Sequence, residues 1–204
     1  LSNVLLFVVF WCAGGAQAHE SASRLLEETG VRGGLVVLLG CGDGAAPASI
    51  ASSGPYLVHV LERDNACVEK LRSELSQTGR YGTVSVAQVR GGALPYIAGL
   101  VNLVVAEELG QVPMDEVMRV LAPGGVAYFK EAGAWKKRVK KRPEQMDDWT
   151  HYLYDATNNA VSHDLLVGPP RQIQWNGSPR WSRHHDRMAS CSAMVSANGR
   201  LFYI

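Results

Sequence analysis

Between residues 22 and 130, short apolar runs that suit buried strands alternate with segments that suit helices, and this alternation limits the fold more than any other feature. "ASRLLEETG" reads as a short helix ended by Gly30, and "LVVLLG" as a buried strand. "AAPASIASSG" reads as a helix with Pro47 in its first turn and Gly54 as its stop. "YLVHVLE" is the next strand. Asp64 then caps a helix whose Val68, Leu71 and Leu75 share one face. "TVSVAQV", "LVNLVVA" and "GVAYFK" complete the strand set, with "MDEVMRVL" as the helix before the last. Elements of this length in this order predict βαβ crossovers and a mostly parallel sheet covered on both faces, a doubly wound α/β fold.

Within that pattern "VVLLGCGDGAAP", residues 36 to 47, places glycines at 40, 42 and 44 between a strand and a helix. An α/β sheet receives its ligand at such a turn. Glycine lets the backbone approach a ligand closely, and the helix N-terminus offers free amides to a carboxylate or phosphate. Glu62 ends the next strand, 20 residues after Gly42, where a carboxylate can bind a ribose diol. The candidate cofactor-binding set is therefore Gly40, Cys41, Gly42, Gly44 and Glu62. The loop alone fits two cofactors. Gly40-x-Gly42-x-x-Ala45 satisfies the relaxed dinucleotide pattern, and Gly40-x-Gly42-x-Gly44 the S-adenosylmethionine pattern.

The succession "VVLLGCGDG", "VHVLERD", "ALPYIAGLVNLVVAEEL" and "EVMRVLAPGGVAYF" resembles class I S-adenosylmethionine (SAM)-dependent methyltransferases over residues 22 to 134. "RVLAPGG" is its most distinctive piece, and a dinucleotide-binding domain leaves it unexplained. The resemblance implies a Rossmann-like sheet with Gly40, Gly42 and Gly44 along the methionine end of the cofactor. It also implies that Glu62 holds the ribose hydroxyls and that a small molecule is the methyl acceptor. Methyl transfer in this fold depends on holding nucleophile and methyl in line, so no fixed catalytic motif is expected. Glu107 and Glu108, just past the fourth strand, are placed to take a proton from an acceptor, although such a pair more often lies in a solvated loop, and the sequence assigns no catalytic residue. Two positions depart from the family pattern. Gly91-Gly92 precedes Ala93 where an acid usually holds the adenine amino group, and Asn102 replaces the acid that commonly starts the fourth strand.

Residues 1 to 18 are set apart from this domain. Val4 to Ala13 is an apolar run of ten residues leading to Ala16-Gln17-Ala18, a small-x-small cleavage site. The run is shorter than the roughly 20 residues that a membrane span requires. It reads as a signal peptide, which predicts export to the periplasm or exterior of a bacterium. Bulky Trp11 before Cys12 argues against a lipoprotein signal. Cys41, Cys67 and Cys191 then remain, an odd number at wide spacing that shows neither a zinc pattern nor a disulfide framework; a Cys41 to Cys67 bridge stays open.

A net charge of +1 names no partner. "KKRVKKR", residues 136 to 142, has six basic residues in seven and reads as a solvated linker over 135 to 146 rather than a nucleic-acid or lipid patch. From residue 147 tryptophan, proline and histidine replace the βα rhythm. "RQIQWNG" reads as a strand, and "SAMVSANGRLFYI" as two strands joined at Asn198-Gly199, whose residues both accept positive φ. This tail, with Trp149, Asn158 to Ser162 and the "QW" strand, resembles the start of a quinoprotein alcohol dehydrogenase-like β-propeller. The family includes proteins that bind pyrroloquinoline quinone (PQQ), and a propeller of this kind takes protein or small-ligand partners. The whole arrangement resembles secreted bacterial proteins of planctomycete-like genomes. His184-His185-Asp186 reads as a hydrogen-bonded lock of the first blade, with a metal or anion site at the propeller mouth as the other reading; neighbouring strand residues point to opposite faces and do not easily share one metal. Two functions follow: a methyltransferase fused to the propeller, or a non-catalytic scaffold or binding module for it.

Overall fold

The structure is a computed structural model that describes residues 20–42, 45–166, 168 and 193–203. The expected signal segment, Gly44, Cys191, the strand expected at 171–177 and His184 to Asp186 lie outside the described residues. The chain divides into two units between Lys141 and Arg142, inside the expected 135–146 linker.

In the first unit a helix, α1, covers residues 20–29. It is followed by β1 (Gly34–Leu39), α2 (Ala45–Ser52), β2 (Tyr56–Glu62), α3 (Asn65–Gln77) and β3 (Val84–Gln88). Then come β4 (Val101–Ala106), α4 (Met114–Val120), β5 (Leu121–Glu131) and β6 (Ala134–Val139). The sheet order is β3-β2-β1-β4-β5-β6, with β1 to β5 parallel and β6 antiparallel to β5. Chain progression reverses between β1 and β4, which makes their carboxyl ends the topological switch point where such sheets bind ligands.

Side chains alternate across a strand, so the apolar runs feed two cores. Val36, Val58, Val60 and Leu103 face α1, α2 and α3, which contribute Leu26, Ile50 and the expected Val68, Leu71 and Leu75. Val37, Leu61, Val104 and Ala127 face the other way, against Val117 and Val120 of α4. Asp64 caps α3 by accepting from the Ala66 N–H at 3.0 Å. Gly125 in "LAPGG" is required by proximity. A Cβ there would stand 2.8 Å from the Ala122 carbonyl and 2.9 Å from that of Val101, so only glycine lets β5 start against β4.

The basic run differs from its expected role. Residues 134–139 form β6, the sheet's edge strand, so the region read as a linker is in part secondary structure. Every β6 residue is exposed, which removes the apolar alternation that marks a half-buried strand. Most of these cations have partners within the chain. Lys136 pairs with Glu131, and Lys137 Nζ donates to the Glu28 carbonyl at 3.0 Å. Lys140 Nζ donates to the Leu121 carbonyl at 2.7 Å, and Arg142 pairs with Asp148 at 2.9 Å.

The second unit contains β7 (Met194–Ala197) and β8 (Arg200–Tyr203), an antiparallel hairpin. Its turn has φ of +50° at Asn198 and +72° at Gly199, the geometry that the dipeptide predicts. The hairpin is tied to the Trp149 segment, whose N–H donates to Ser196 Oγ at 3.0 Å. Beside it Asp147 is a hub. It accepts from the Tyr154 hydroxyl at 2.5 Å and the His163 N–H at 2.9 Å, and these donors, the hydroxyl first, hold its carboxyl down at about 2. Among the described residues no helix is long and apolar enough to cross a membrane.

Candidate functional site

The carboxyl ends of the first unit's strands open onto a cleft of about 1250 Å³. Gly40, Cys41 and Gly42 at the end of β1, and Glu62 at the end of β2, all line it. The structure thus brings together every described member of the expected set; Gly44 is the member outside the described residues. Gly40 has φ +102° and Gly42 φ +54°, and a Cβ at either would meet nothing within 4 Å. Glycine is needed here for backbone conformation, and the space beside the turn is open to a ligand.

Glu62 is locked against this turn. Its Oε2 accepts from the Cys41 N–H at 2.8 Å, and its Oε1 from the N–H groups of Arg63 at 2.5 Å and Asp64 at 3.1 Å. Burial pulls the carboxyl up, but the donors from Asp64, Cys41 and Arg63 outweigh it and leave the pKa below the ordinary value. An ionised carboxylate therefore stands at the turn at neutral pH. Cys41 responds in the opposite sense. Burial first, then the adjacent carboxylate, pushes its thiol up to about 12. Cys41 and Cys67 are both free thiols, so the bridge left open by the sequence does not form.

Glu107 and Glu108 line the β4 side of the cleft, as expected. Glu107 is paired with Lys130 at 2.8 Å. Beside them Tyr128 of β5 stacks on Trp135 of β6, with centroids 4.6 Å apart and an interplanar angle of 5°, and Lys130 Nζ lies 5.0 Å from the Trp135 ring. The Tyr128 hydroxyl donates to Glu28 of α1, which also pairs with Arg24 at 2.9 Å, so α1 is clasped to the wall of the cleft. Tyr128, Trp135 and Arg63 were not legible as site residues. Trp135 sat in the supposed linker, and Arg63 carries only its adjacency to Glu62 as a signal.

The two departures from the family pattern have local causes. Asn102 Oδ1 accepts from the Leu35 N–H at 2.9 Å and so ties β4 to β1 at the end of the sheet opposite the cleft. A Cβ on Gly34 would fall 2.1 Å from that oxygen. Gly92 faces the Gln111 carbonyl, 2.4 Å from where its Cβ would be, so this position has no room for a side chain, whereas Gly91 has open space beside it and a φ of +75° that favours glycine.

No family model matches the sequence, and no curated protein matches it. Among solved structures, a candidate S-adenosyl-L-methionine-dependent methyltransferase from Methanococcus maripaludis is similar with 17% identity and a TM-score of 0.50, over 55% of this chain and 54% of that one. A candidate sarcosine dimethylglycine methyltransferase from Galdieria sulphuraria shows 20% identity and a TM-score of 0.49, over 56% of this chain and 46% of that one. Geranyl diphosphate C-methyltransferase from Streptomyces coelicolor A3(2) shows 19% identity and a TM-score of 0.49, over 54% and 44%. The chain spans about half the length of these structures. At such identities the likeness concerns the fold. The first unit has the Rossmann-like fold of a class I SAM-dependent methyltransferase.

Proposed function

We propose that the first unit binds S-adenosylmethionine and transfers its methyl group to a small-molecule acceptor. The observation that carries this reading is the ionised Glu62 carboxylate, fixed by three backbone N–H groups beside the open Gly40 and Gly42 turn. A carboxylate has about four acceptor positions. Three are taken by backbone, and the fourth neighbour, the Cys41 thiol, is a weak donor that a ribose hydroxyl replaces at little cost. On this reading the ribose lies at β2, the methionine end at the β1 turn, and the acceptor at β4 and β5, between Glu108 and the Tyr128 and Trp135 wall that line the same cleft.

S-adenosylmethionine supplies an electrophilic methyl group on a sulfonium. The protein's part is to align the acceptor with it and to keep a base near the acceptor's proton. Glu107 is paired with Lys130, so Glu108 is the carboxylate assigned to that proton.

Calorimetry on the full chain with S-adenosylmethionine at millimolar concentration tests the reading. Saturable heat is expected, and Glu62→Ala lowers the affinity at least about tenfold, the scale of a lost charged hydrogen bond. No heat from the unaltered protein sinks the methyltransferase reading and leaves the scaffold role.

For the second unit the proposal is the opening of a PQQ-type β-propeller in an exported protein. The Asn198-Gly199 hairpin and its tie to the Trp149 segment support it. Strand-rich repeats of about 40 residues beyond Ile204 would support it further, and a reading frame without them would remove it.

A further inference from the structure

We infer that Arg63 grips the nucleoside base through the plane of its guanidinium, and that the site does not read the base's exocyclic amino group. This rests on the cofactor reading above. Glu62 pairs in register with Gln88 of β3, and the Val89 N–H donates to the Glu62 carbonyl at 2.8 Å. The end of β3 therefore lies directly outboard of the ribose carboxylate, where a base attached to that ribose must go.

Arg63 follows Glu62 in the chain and reaches across this place. Its Nη2 donates to the Gly91 carbonyl at 3.4 Å and stands 3.4 Å from where a Cβ on Gly110 would be. The guanidinium thus spans two loops that both lack side chains at the point of contact, and Gly92 has no room to acquire one. Val89, Leu109 and Val112 give this end of the cleft apolar walls. Val89, Gly91, Leu109, Gly110 and Val112 carry no side-chain hydrogen-bonding group, and the Gln88 amide is engaged, donating to the Arg63 carbonyl at 2.9 Å and accepting from Arg90 at 3.4 Å. Arginine itself has donors only, so it accepts nothing from an amino group. What arginine offers a purine is a flat cationic face, and stacking of this kind tolerates any base.

The test compares S-adenosylhomocysteine with its purine-riboside analogue, which carries hydrogen in place of the amino group and keeps N1 as an acceptor, by calorimetry on the full chain. The deamino compound is expected to bind within about threefold of the adenosyl compound, or more tightly, because no hydrogen bond to the amino group is lost. Arg63→Ala should weaken both to the same extent, by about tenfold. Arg63→Lys keeps the charge without the plane and should not restore them.

A tenfold or greater loss for the deamino compound alone overturns the proposal, as does an Arg63→Ala variant of unchanged affinity or full restoration by lysine. Failure of both compounds to bind overturns the cofactor reading and this proposal together, which is distinct from a selective loss. If Arg63→Ala fails to fold, the comparison of the two compounds on the unaltered chain decides.

Discussion

Glu62 and Cys41, 21 residues apart, are joined by a hydrogen bond of 2.8 Å from the Cys41 N–H to the Glu62 carboxylate, which couples the end of β2 to the glycine turn after β1. The bond makes the turn and the carboxylate hold each other in place, so the proposed ribose contact would depend on the local fold.

Glu62→Gln tests that link. The amide turns one acceptor oxygen into a donor, which then faces either the Cys41 N–H or those of Arg63 and Asp64. A loss of about 1 to 3 kcal/mol in unfolding free energy is expected, the cost of an unsatisfied, partly buried donor. An unchanged urea midpoint would show that the turn stands without the carboxylate.

Cys41 should be a poor nucleophile for the same reason. With its thiol at about 12, little thiolate exists at pH 8, so iodoacetamide should modify Cys41 far more slowly than an ordinary free cysteine. Glu62→Gln removes one of the groups that raise this pKa and should speed the reaction. Peptide mass spectrometry reads the site directly. Rapid labelling of Cys41 in the unaltered protein contradicts the environment described.

Acid should destabilise the first unit over a defined window. Hydrogen bonding to Arg119, followed by the Leu94 N–H, holds the Glu116 carboxyl at about 2 against its ordinary 4.5. The folded value is depressed, so its stabilisation is complete above about pH 4.5 and is lost as the pH falls toward 2. Glu62, also depressed, adds in the same direction. Burial lowers the pKa of His59, and below its ordinary 6.5 this too favours unfolding. Thermal midpoints between pH 7 and pH 2.5 should fall, and less steeply for Glu116→Gln. Parallel profiles for the two proteins would remove Glu116 from the account.

Asn102 gives a contrast between two substitutions. Asn102→Ala leaves the partly buried Leu35 N–H without its acceptor and should cost about 1 to 3 kcal/mol. Asn102→Asp keeps an acceptor at that place and should retain most of the stability, so an acid fits where the family commonly has one. Chemical unfolding of the pair checks this. Equal losses would mean that the position needs the amide nitrogen rather than the oxygen.

What could be read in the sequence was what period and turn chemistry encode. The apolar alternation placed β1 to β5, Asp64 marked the start of α3, and Asn198-Gly199 marked the hairpin, because each of these residues acts on its own neighbours. The candidate site was legible where backbone conformation and strand ends define it, at Gly40, Gly42 and Glu62, which line one cleft. It was not legible where long side chains cross between loops, as Arg63 does to reach Gly91, 28 residues away. The strand β6 was missed for a different reason. An edge strand exposed along its whole length has no buried face to impose a pattern, so its cations read as a linker.

Those cations have a consequence for how the domain meets its own kind. Among the described residues no further strand of this sheet covers the backbone amides and carbonyls on the outer margin of β6. Such a margin is a template on which another chain can lay a strand. Here Lys136, Lys137 and Arg138 stand along it in succession, and two copies brought margin to margin would set like charges face to face. The fold thus ends its sheet with a self-repelling hem, which opposes fibrous assembly.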